Sequence, residues 1–458
     1  MNIPRIVIAA SASGVGKTSV TVGLIDALRA RGLTVAPFKC GPDYLDPTYH
    51  ALAAGRPSQN LDGWMMGREA VLATFTTAAR DADIAVVEGM MGLYDSASPA
   101  SDDGSTAQIA KWLDAPVLLV IDAAGIARTV AALALGFARF DPQVKLAGLI
   151  CNRVGSQGHV EILHQSAPTV PIVGGLPVFS AGAFPERHLG LIRAANDAVS
   201  RVRVAKWGAL MERWCDLDRI LSLARATSPL ISDVPDKPVS VSERCRLGIA
   251  FDDAFHFYYA DNLRRLEALG AELVHFAPSA DRTLPEVDGL YFGGGYPEAQ
   301  VEALSSNHPM LKAVRAFAAR GGPIYAECGG LMYLSAAIRT LDGKRWPMAG
   351  LFQGDTVMHE RLQALGYVEV ETRTASILGG AGQRFRGHQF RYSTLEPALQ
   401  TECVYTVRPR WGGAPFNEGY QSKNVLASYV HAHWASNPSL AAQFVAACAH
   451  FRKSMVSS

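Results

Sequence analysis

A glycine-rich turn between a strand-like run and a helical run constrains the fold of this chain more than any other feature. Residues 5–10 (RIVIAA) read as a buried strand, the turn runs from Ser11 to Thr18 (SASGVGKT), and a helical pattern begins at Thr18. In such a turn the backbone N–H groups and the helix N-terminus surround phosphate oxygens. The lysine neutralises the terminal phosphates, and the threonine hydroxyl is a ligand for Mg²⁺. The motif predicts a nucleotide site formed by Ser13, Gly14, Val15, Gly16, Lys17 and Thr18.

One position of this motif leaves an alternative open. The usual sequence begins with glycine, and this chain has Ser11 there. A tight glycine turn that binds no ligand is therefore the alternative interpretation. The strand before the turn and the helix after it favour the nucleotide site.

The first 195 residues alternate between short apolar runs and helical patterns. Continuous apolar runs are typical of strands covered on both faces, and alternating strands and helices predict parallel strands with right-handed crossovers. The predicted strands are residues 5–10, 34–39, 84–88, 116–121, 145–151 and 171–174. The predicted helices are residues 18–31, 68–80, 106–113 and 126–139. We expect a doubly wound α/β domain with a parallel sheet.

A second α/β pattern follows a proline-containing segment. Residues 228–244 are rich in Pro, Ser and Asp, a composition typical of linkers. Strand and helix patterns follow, and past Gly350 strands dominate before a final helix near residues 439–451. We predict three parts, which are a P-loop domain (1–195), a helical segment with a linker (196–244) and a second α/β domain (245–458).

Charge and cysteine content exclude several classes of protein. Lys plus Arg is 43 and Asp plus Glu is 42, a formal net charge of +1, which argues against nucleic-acid binding and an electrostatic membrane anchor. The apolar runs are shorter than the ~18 residues of a membrane helix. The seven cysteines are scattered without a C-x-x-C pair, so neither a disulfide framework nor a zinc site is indicated. We expect a soluble protein of the reducing cytoplasm.

Acidic residues follow the second and third predicted strands. Asp43 and Asp46 come after the second strand, Glu88 ends the third, and Asp95 comes shortly after it. Ligands of parallel sheets bind outside the carboxyl ends of the strands, so these carboxylates could converge on Mg²⁺ and a substrate. Mg²⁺ needs only one or two carboxylates besides phosphates and water. The alternative is that some of them cap turns or helices, for which Asp43, after Gly-Pro, is the strongest candidate.

A polar pair follows the strand predicted over residues 145–151. Asn152 and Arg153 stand where a P-loop protein often contacts the base of its nucleotide. An ordinary surface loop explains this pair almost equally well.

A cysteine stands between a predicted strand and a predicted helix in the second domain. Residues 323–327 read as a strand, Cys328-Gly329-Gly330 follows, and a helix is predicted over residues 331–340. A nucleophile on a sharp strand-to-helix turn needs small neighbours, and a helix N-terminus lowers the pKa of a thiol. We predict that Cys328 is a nucleophile with a lowered thiol pKa. The alternative is a buried cysteine that only fills space.

Two further segments suit a nucleophilic site. The segment GGGYPE at 293–298 follows an earlier strand, and the N–H groups of Gly294 and Gly295 are candidates for an oxyanion hole. The segment SYVHAH at 428–433 supplies two candidate bases, His431 and His433. Their spacing does not decide between them.

Together these segments resemble the cobyrinic acid or hydrogenobyrinic acid a,c-diamide synthase family over nearly the whole chain. The motifs that carry the resemblance are the phosphate loop, FKCGPDYLDP at 38–47, NLDGWMMG at 60–67, EGMMGLYD at 88–95, PERHLG at 185–190, GGGYPE at 293–298, CGG at 328–330 and ASYVH at 427–431. The family joins a dethiobiotin-synthetase-like ATPase domain to a class I glutamine amidotransferase domain. The resemblance therefore implies an α/β fold for both halves.

The resemblance also implies a reaction. ATP phosphorylates the a and c acetate carboxylates of a corrin ring in turn, and ammonia released from glutamine displaces the phosphate. The implied partners are a corrinoid polycarboxylic acid, L-glutamine and ATP with Mg²⁺, while a homodimer is left open.

Residue roles follow from the same resemblance. It implies that Cys328 is the nucleophile and that His431 activates it. Lys17 and Thr18 match the positions that serve phosphate and Mg²⁺. The acidic positions tied to Mg²⁺ and substrate match Asp43, Asp46, Glu88 and Asp95, with Asp46 and Glu88 expected at the Mg²⁺.

Three positions depart from the patterns of these families. Ordinary class I amidotransferases carry His-x-Glu, and His433 occupies the Glu position here. The relatives usually begin their phosphate loop with Gly-Thr, where this chain has Ala10-Ser11, and their Gly-His-Glu-Phe segment is GHQF at 387–390 here. The first departure predicts a Cys–His pair in place of a triad that is evident from sequence.

A partitioning-type ATPase is the alternative from another functional class. Those proteins carry a lysine early in the phosphate loop, where this chain has Ala12, and they have no need of a cysteine turn. A closer alternative is another tetrapyrrole amidase, such as cobyric acid synthase or the enzyme that acts on nickel-sirohydrochlorin. Sequence motifs do not separate the corrin substrates, because ring recognition depends on scattered loops.

Overall fold

A computed structural model describes residues 3–96, 98, 100–166, 169–187, 190–191, 193–194, 197–230, 244–397 and 402–456. The chain divides into two compact units, residues 1–234 and 235–458. Most of the predicted linker, residues 231–243, lies outside the described residues. Within the described part of the chain, no helix has the length and apolar character needed to cross a membrane.

The first unit is built on a sheet of seven parallel strands in the order β3-β2-β4-β1-β5-β6-β7. These strands are β1 (Arg5–Ala10), β2 (Val35–Cys40), β3 (Gln59–Leu61), β4 (Ile84–Glu88), β5 (Val117–Asp122), β6 (Leu146–Val154) and β7 (Ile172–Pro177). Every residue of β1, β2 and β4 is buried, as strands covered on both faces require. The predicted doubly wound parallel sheet is confirmed.

Helices cover both faces of this sheet. They are α1 (Lys17–Ala30), α2 (Asp46–Ala54), α3 (Gly63–Ala78), α4 (Thr106–Trp112), α5 (Thr129–Phe140), α6 (Gln157–Gln165), α7 (Ala198–Trp214) and α8 (Leu217–Arg225), and a hairpin is formed by β8 (Glu186–Arg187) and β9 (Gly190–Leu191). Strand β3 and helix α2 were not predicted from the sequence, because strands and helices this short carry too few residues to establish a period.

The register of the sheet brings three loops to one edge. Ile8 of β1 and Lys39 of β2 pair with Glu88 of β4 from opposite sides. The phosphate loop after β1 and the segments after β2 and β4 therefore begin side by side at the carboxyl ends of the strands.

The helices of the predicted segment 196–244 pack as a layer of the first unit. Helix α7 lies against α1 so closely that a Cβ on Gly23 would be 2.9 Å from the carbonyl oxygen of Trp207. Arg31, at the end of α1, forms ion pairs with Glu212 and Asp218.

The second unit contains a ten-stranded sheet in the order β11-β10-β12-β13-β22-β21-β20-β17-β18-β23 and a four-stranded sheet in the order β15-β14-β16-β19. The strands are β10 (Cys245–Ala250), β11 (Ala271–Phe276), β12 (Gly289–Phe292), β13 (Ile324–Glu327), β14 (Ala337–Arg339), β15 (Arg345–Pro347), β16 (Gly354–Met358), β17 (Ala364–Thr372), β18 (Arg384–Arg391), β19 (Ser393–Pro397), β20 (Cys403–Pro409), β21 (Phe416–Ser422), β22 (Val425–Ser428) and β23 (His431–Ala432). The helices are α9 (Ala260–Ala268), α10 (Val301–Ser306), α11 (His308–Ala319), α12 (Gly329–Leu334) and α13 (Ser439–Val456). In the larger sheet the five neighbouring strands β11, β10, β12, β13 and β22 are parallel. The remaining pairs of that sheet are antiparallel.

The helix predicted over residues 331–340 is wrong in its second half. Helix α12 ends at Leu334, and residues 337–339 form β14 instead. The buried Ile338 pairs with Thr356 of β16. A β-branched residue in a buried sheet position is stabilised by tertiary packing that a local helical pattern does not reveal.

Candidate active sites

The phosphate loop has the backbone conformation that its glycines permit. Gly14 and Gly16 have φ of 79° and 95°, and α1 begins directly afterwards at Lys17. Val15 is buried, whereas Ser13 and Gly14 are exposed. This leaves the outer part of the loop accessible to a ligand at the N-terminus of a 14-residue helix.

Asn152 and Arg153 both contact this loop. The side-chain Nδ2 of Asn152 donates to the carbonyl of Val15 at 2.8 Å, and a guanidinium N–H of Arg153 donates to the carbonyl of Gly14 at 2.8 Å. A Cβ at Gly16 would lie 2.3 Å from Nδ2 of Asn152, so only glycine fits there. The two side chains are therefore tied to the phosphate loop itself, and their contact with a nucleotide stays a prediction.

A cavity of about 400 Å³ adjoins the loop. Its lining includes the phosphate loop, Asn152 and Arg153, together with residues 177–180, Phe184 and Trp207. A lining that combines aromatic and polar side chains suits a flat heteroaromatic base.

Behind the phosphate loop lies a buried charge cluster centred on Glu88. Its Oε1 accepts hydrogen bonds from Oγ1 of Thr18 and from Nζ of Lys39, each at 2.9 Å. Its Oε2 lies 2.6 Å from Nε2 of His50. The ammonium of Lys39 also lies 2.6 Å from a carboxylate oxygen of Asp46. The structure thus brings three predicted residues together around Lys39, which the sequence analysis missed.

A signal for Lys39 is present in the sequence. It is a charged residue inside a run that otherwise reads as a buried strand, and a charge in such a position is buried only when it is paired. His50 carries no comparable local signal, because it lies on α2, a helix that the sequence analysis did not predict.

The cluster shifts the pKa values of its members. Burial opposes ionisation of Glu88, but Lys39, His50 and Lys17 outweigh it and hold the pKa of Glu88 below its usual value. Burial, with repulsion from Asp43, raises the pKa of Asp46. Burial and the neighbouring charge of Lys39 lower the pKa of Lys17. The site therefore favours one strongly ionised carboxylate, that of Glu88, beside two lysines.

Two predicted acidic residues hold loops in place. Oδ1 of Asp43 accepts from the N–H groups of Leu45 and Asp46 at 2.7 and 3.0 Å, at the start of α2. Oδ2 of Asp95 accepts from the N–H of Gly92 at 2.8 Å. The capping alternative therefore describes the contacts of Asp43, and Asp95 closes a turn in the same manner.

The donor set at the start of α1 fits Mg²⁺. The hydroxyl of Thr18 and the carboxylate of Glu88 are hard oxygen donors within 2.9 Å of each other, and Mg²⁺ bound with phosphates needs no more protein ligands than this. Among the described residues, no group of three or more His, Cys, Asp and Glu forms a metal cage. A metal here would be held jointly by Thr18, Glu88 and the phosphates of the nucleotide.

Cys328 occupies a sharp turn in the second unit. It follows β13 with φ of 47°, a left-handed conformation that is uncommon for a residue with a side chain. Its N–H donates to the carbonyl of Ser428 at 2.7 Å, which ties the turn to the end of β22. A Cβ at Gly330 would lie 2.5 Å from the carbonyl oxygen of Phe292. The strained turn and its glycines match the geometry of a nucleophile elbow.

The prediction that the thiol pKa of Cys328 is lowered is wrong for this structure. Burial, with a smaller contribution from Glu298, raises the pKa of the thiol to about 12, although Arg391 acts in the opposite direction. The six-residue helix α12 does not outweigh the loss of solvation. The resting site therefore holds a neutral thiol.

The glycine loop at 293–295 lies against both Cys328's turn and His431. A Cβ on Gly294 would be 2.3 Å from Cε1 of His431, and a Cβ on Gly329 would be 3.1 Å from the amide nitrogen of Gly295. Gly295 has φ of 154°, where a Cβ would lie 2.1 Å from the carbonyl oxygen of Ala254. The glycine loop, which is the predicted oxyanion loop, thus lies against both the turn of the predicted nucleophile, Cys328, and the predicted base, His431.

The two candidate bases have different surroundings. His431 is buried against Gly294, and burial lowers the pKa of its imidazole to about 3. His433 accepts a hydrogen bond at Nδ1 from the N–H of Ala435 at 3.4 Å, and its ring packs against Tyr259 with centroids 4.6 Å apart. Burial lowers the pKa of His433 to about 4, although Asp261 acts in the opposite direction. The geometry favours His431 as the partner of Cys328.

Comparison with known proteins finds one family domain in each unit. A family model for the CobQ/CobB/MinD/ParA nucleotide binding domain matches residues 6–188, and one for the CobB/CobQ-like glutamine amidotransferase domain matches residues 246–439.

Three curated relatives extend the similarity over the full chain. The chain is 51% identical over 451 residues to the cobyrinate a,c-diamide synthase of Leptospira interrogans, covering 98% of this chain and 99% of the relative. It is 48% identical over 456 residues to the same-named protein of Syntrophotalea carbinolica, with coverage of 98% and 99%. It is 43% identical over 460 residues to that of Dehalococcoides mccartyi, with coverage of 97% and 98%. With a phosphate loop in one unit, a cysteine turn in the other and relatives this similar over their whole length, the chain belongs to the cobyrinate a,c-diamide synthase family.

Proposed function

We propose that this protein uses ATP and glutamine to amidate the a and c acetate carboxylates of cobyrinic or hydrogenobyrinic acid, a reaction of cobalamin biosynthesis. The observation that carries the proposal is the strained Cys328 beside a glycine loop and His431, in a chain whose other unit holds a phosphate loop and the Glu88 cluster. An amidase of this type needs one site to activate a carboxylate and another to release ammonia. A partitioning-type ATPase has no use for the second.

The first unit activates the carboxylate. A substrate carboxylate oxygen attacks the γ-phosphorus of ATP, the bond to the β–γ bridging oxygen breaks, and ADP leaves. The product is an acyl phosphate. Lys17, at the start of α1, neutralises charge on the phosphates, and Asn152 and Arg153 hold the shape of the loop through the carbonyls of Val15 and Gly14. Thr18 and Glu88 would hold a Mg²⁺ ion, which would supply further neutralisation of the phosphates.

Lys39 serves the phosphoryl transfer by its position. Its ammonium lies between Glu88 and Asp46 at the carboxyl end of β2, where ligands of parallel sheets bind. We infer that this charge holds the two carboxylates in place and reduces their repulsion of an incoming substrate carboxylate. Asp43 and Asp95 each hold the backbone of their own loop, one after β2 and the other after β4.

The second unit releases ammonia. His431 takes the proton of the Cys328 thiol, and the sulfur attacks the side-chain carbonyl carbon of glutamine. The N–H groups of Gly294 and Gly295 face the developing oxyanion. His431 returns the proton to the departing nitrogen, so ammonia leaves and a thioester remains. Water then cleaves the thioester to give glutamate and the free thiol.

Burial opposes ionisation of both Cys328 and His431. Burial raises the pKa of Cys328 to about 12 and lowers that of His431 to about 3. Burial therefore disfavours the thiolate–imidazolium ion pair. Bound glutamine, with oxyanion donors opposite its carbonyl, makes the proton transfer productive.

The test is a steady-state assay with purified protein, ATP, Mg²⁺ and either glutamine or ammonia, with mass spectrometric counting of amides. Cobyrinic and hydrogenobyrinic acids serve as parallel substrates. Two added amides on either acid support the proposal. Amidation of other side chains, or of nickel-sirohydrochlorin alone, would replace it with a neighbouring amidase activity. A homodimer and a cytoplasmic location stay predictions.

A further inference from the structure

The ring of His388 is stacked on the ring of His431. The centroids are 4.9 Å apart and the planes are inclined by 18°. The two residues are direct partners in the antiparallel pairing of β18 with β23. The stacking therefore follows from backbone register and covers one face of the His431 imidazole.

A tyrosine hydroxyl fixes His388 in turn. The hydroxyl of Tyr259, at the start of α9, lies 2.9 Å from Nδ1 of His388. Both side chains are buried, with Tyr259 at 1% exposure and His388 at 7%. A buried ring held by a hydrogen bond has few alternative rotamers, so its stacked partner is restrained as well.

The remaining sides of His431 are restrained by glycine and backbone contacts. Gly294 lies against Cε1 of the imidazole. The next residue, Ala432, donates its N–H to Glu327 at 3.0 Å, and its carbonyl accepts from Asn262 at 2.8 Å. These contacts fix the backbone of β23. The ring itself contacts His388, stacked at 4.9 Å, and Phe257, tilted at 6.4 Å between centroids, and the nearly parallel His388 is the closer of the two.

The side chain of His433, at the position of the usual carboxylate, makes different contacts. His433 stands two residues after His431, where ordinary class I amidotransferases carry Glu. Its Nδ1 accepts from the backbone N–H of Ala435, and its ring packs on Tyr259. His433 therefore supports the tyrosine that holds His388.

We propose that His388, oriented by Tyr259, is the positioning residue that holds the His431 imidazole in the plane needed for proton exchange with Cys328. This inference rests on the proposed function, since it assigns His431 its glutaminase role. A stacked ring can set orientation as a carboxylate does, and a misplacement of about 1 Å can cost about 100-fold in rate. Burial and the neighbouring histidines lower the pKa of His388. The ring therefore stays neutral and does not repel the imidazolium that forms at His431.

Three variants separate stacking from hydrogen bonding. His388→Ala removes the ring, His388→Phe keeps a flat ring without the Tyr259 contact, and Tyr259→Phe keeps His388 but removes its hydrogen bond. Tyr405→Phe is the matched control, because among the described residues the buried hydroxyl of Tyr405 has no hydrogen-bond partner. Each variant is assayed with glutamine and with ammonia, and Cys328 is labelled with a glutamine-derived diazoketone followed by mass spectrometry.

We expect His388→Ala to lower kcat with glutamine by about 30- to 100-fold, with little change in KM for glutamine. Tyr259→Phe should lower kcat by about 3- to 10-fold, the effect of losing one neutral hydrogen bond. His388→Phe should recover most of the loss seen with alanine. The full-length variants should still bind one label per chain, but more slowly, and should keep ammonia-dependent synthesis.

Labelling separates positioning from folding. A merely structural role for His388 predicts substoichiometric labelling, with the remaining sites reacting at the wild-type rate. That result, or a wild-type glutamine rate in His388→Ala, would overturn the inference. An unmodified enzyme that makes no amide from either nitrogen source would instead overturn the proposed function.

Discussion

The ammonium of Lys39 lies 2.9 Å from a carboxylate oxygen of Glu88, and the two buried residues are register partners on neighbouring strands. The same carboxylate oxygen accepts from Thr18, the residue expected at Mg²⁺. Two charges are removed from water here, and such a pair is retained only where each charge is compensated. The pair lies at the carboxyl ends of the strands, behind the phosphate loop. It therefore connects Thr18 of the phosphate loop with Asp46, whose carboxylate also contacts Lys39.

Loss of Lys17 should stop amide synthesis from both nitrogen sources. Lys17→Ala removes the charge aimed at the phosphates and leaves the glycine turn intact. We expect a fall of about 100-fold or more in synthesis with glutamine and with ammonia. Glutamine hydrolysis at Cys328 should persist, which serves as the control for folding of the second unit. Near-normal synthesis with ammonia would contradict the nucleotide site.

Loss of the Glu88 charge should weaken the dependence on Mg²⁺. Glu88→Gln keeps the shape of the side chain, so Thr18 and Lys39 retain a neighbour, but a neutral amide is a poor ligand for Mg²⁺. We expect the Mg²⁺ titration of ATP binding to shift to higher concentration and turnover to fall with either nitrogen source. Glu69→Gln, an exposed carboxylate on α3, is the matched control. An unchanged titration in Glu88→Gln would remove Glu88 from the metal site.

A methyl group on the glycine loop should disable the glutaminase alone. In Gly294→Ala the new Cβ would lie 2.3 Å from Cε1 of His431, so the imidazole must move. We expect glutamine-dependent synthesis to fall by about 100-fold while ammonia-dependent synthesis is kept. Gly380→Ala is the control, because its Cβ would meet nothing within 4 Å. Equal losses with both nitrogen sources in Gly294→Ala would point to misfolding instead.

The local stability around β22 and β23 should depend on pH, because the pKa of the buried His431 is lowered on folding. Burial lowers the pKa of His431 to about 3, below its unfolded value of about 6.5, so between these values the unfolded state binds more protons. Stability from this residue is full above about pH 6.5 and is lost as the pH falls towards 3, by up to about 1.4 kcal/mol per pH unit. Amide hydrogen exchange across β22 and β23 measures the opening free energy. His431→Gln should show a shallower slope, and an unchanged slope would contradict the lowered pKa.

Substitution of Cys328 separates the release of ammonia from glutamine from the activation of the carboxylate most directly. Cys328→Ala should abolish synthesis with glutamine, because the thioester cannot form. High concentrations of ammonia should still support both amidations, because the acyl phosphate forms in the first unit. Cys448→Ala, a buried cysteine of the same unit, is the control and should not distinguish the nitrogen sources. Wild-type use of glutamine by Cys328→Ala would remove the amidotransferase interpretation.

Motifs made of neighbouring residues were predictable from the sequence. The phosphate loop, the strand-to-helix turn at Cys328 and the parallel sheet of the first unit all follow from local chemistry and period, since glycines, a lysine and a buried strand act within a few residues of one another. The helix over residues 331–340 failed because Ile338 is held by β16, a strand that lies beyond any local window.

What only the tertiary structure decided depends on pairing across the chain. Register placed Lys39 beside Glu88, and α2 placed His50 against the same carboxylate. The pairing of β18 with β23 placed His388 on His431, and the contact with the glycine loop distinguished His431 from His433. Burial reversed the expected shift in the thiol pKa of Cys328, because the loss of solvation outweighs a short helix terminus. The residues that can do chemistry were evident in sequence, but which of them face one another, and in what charge state, is set by strand register and burial.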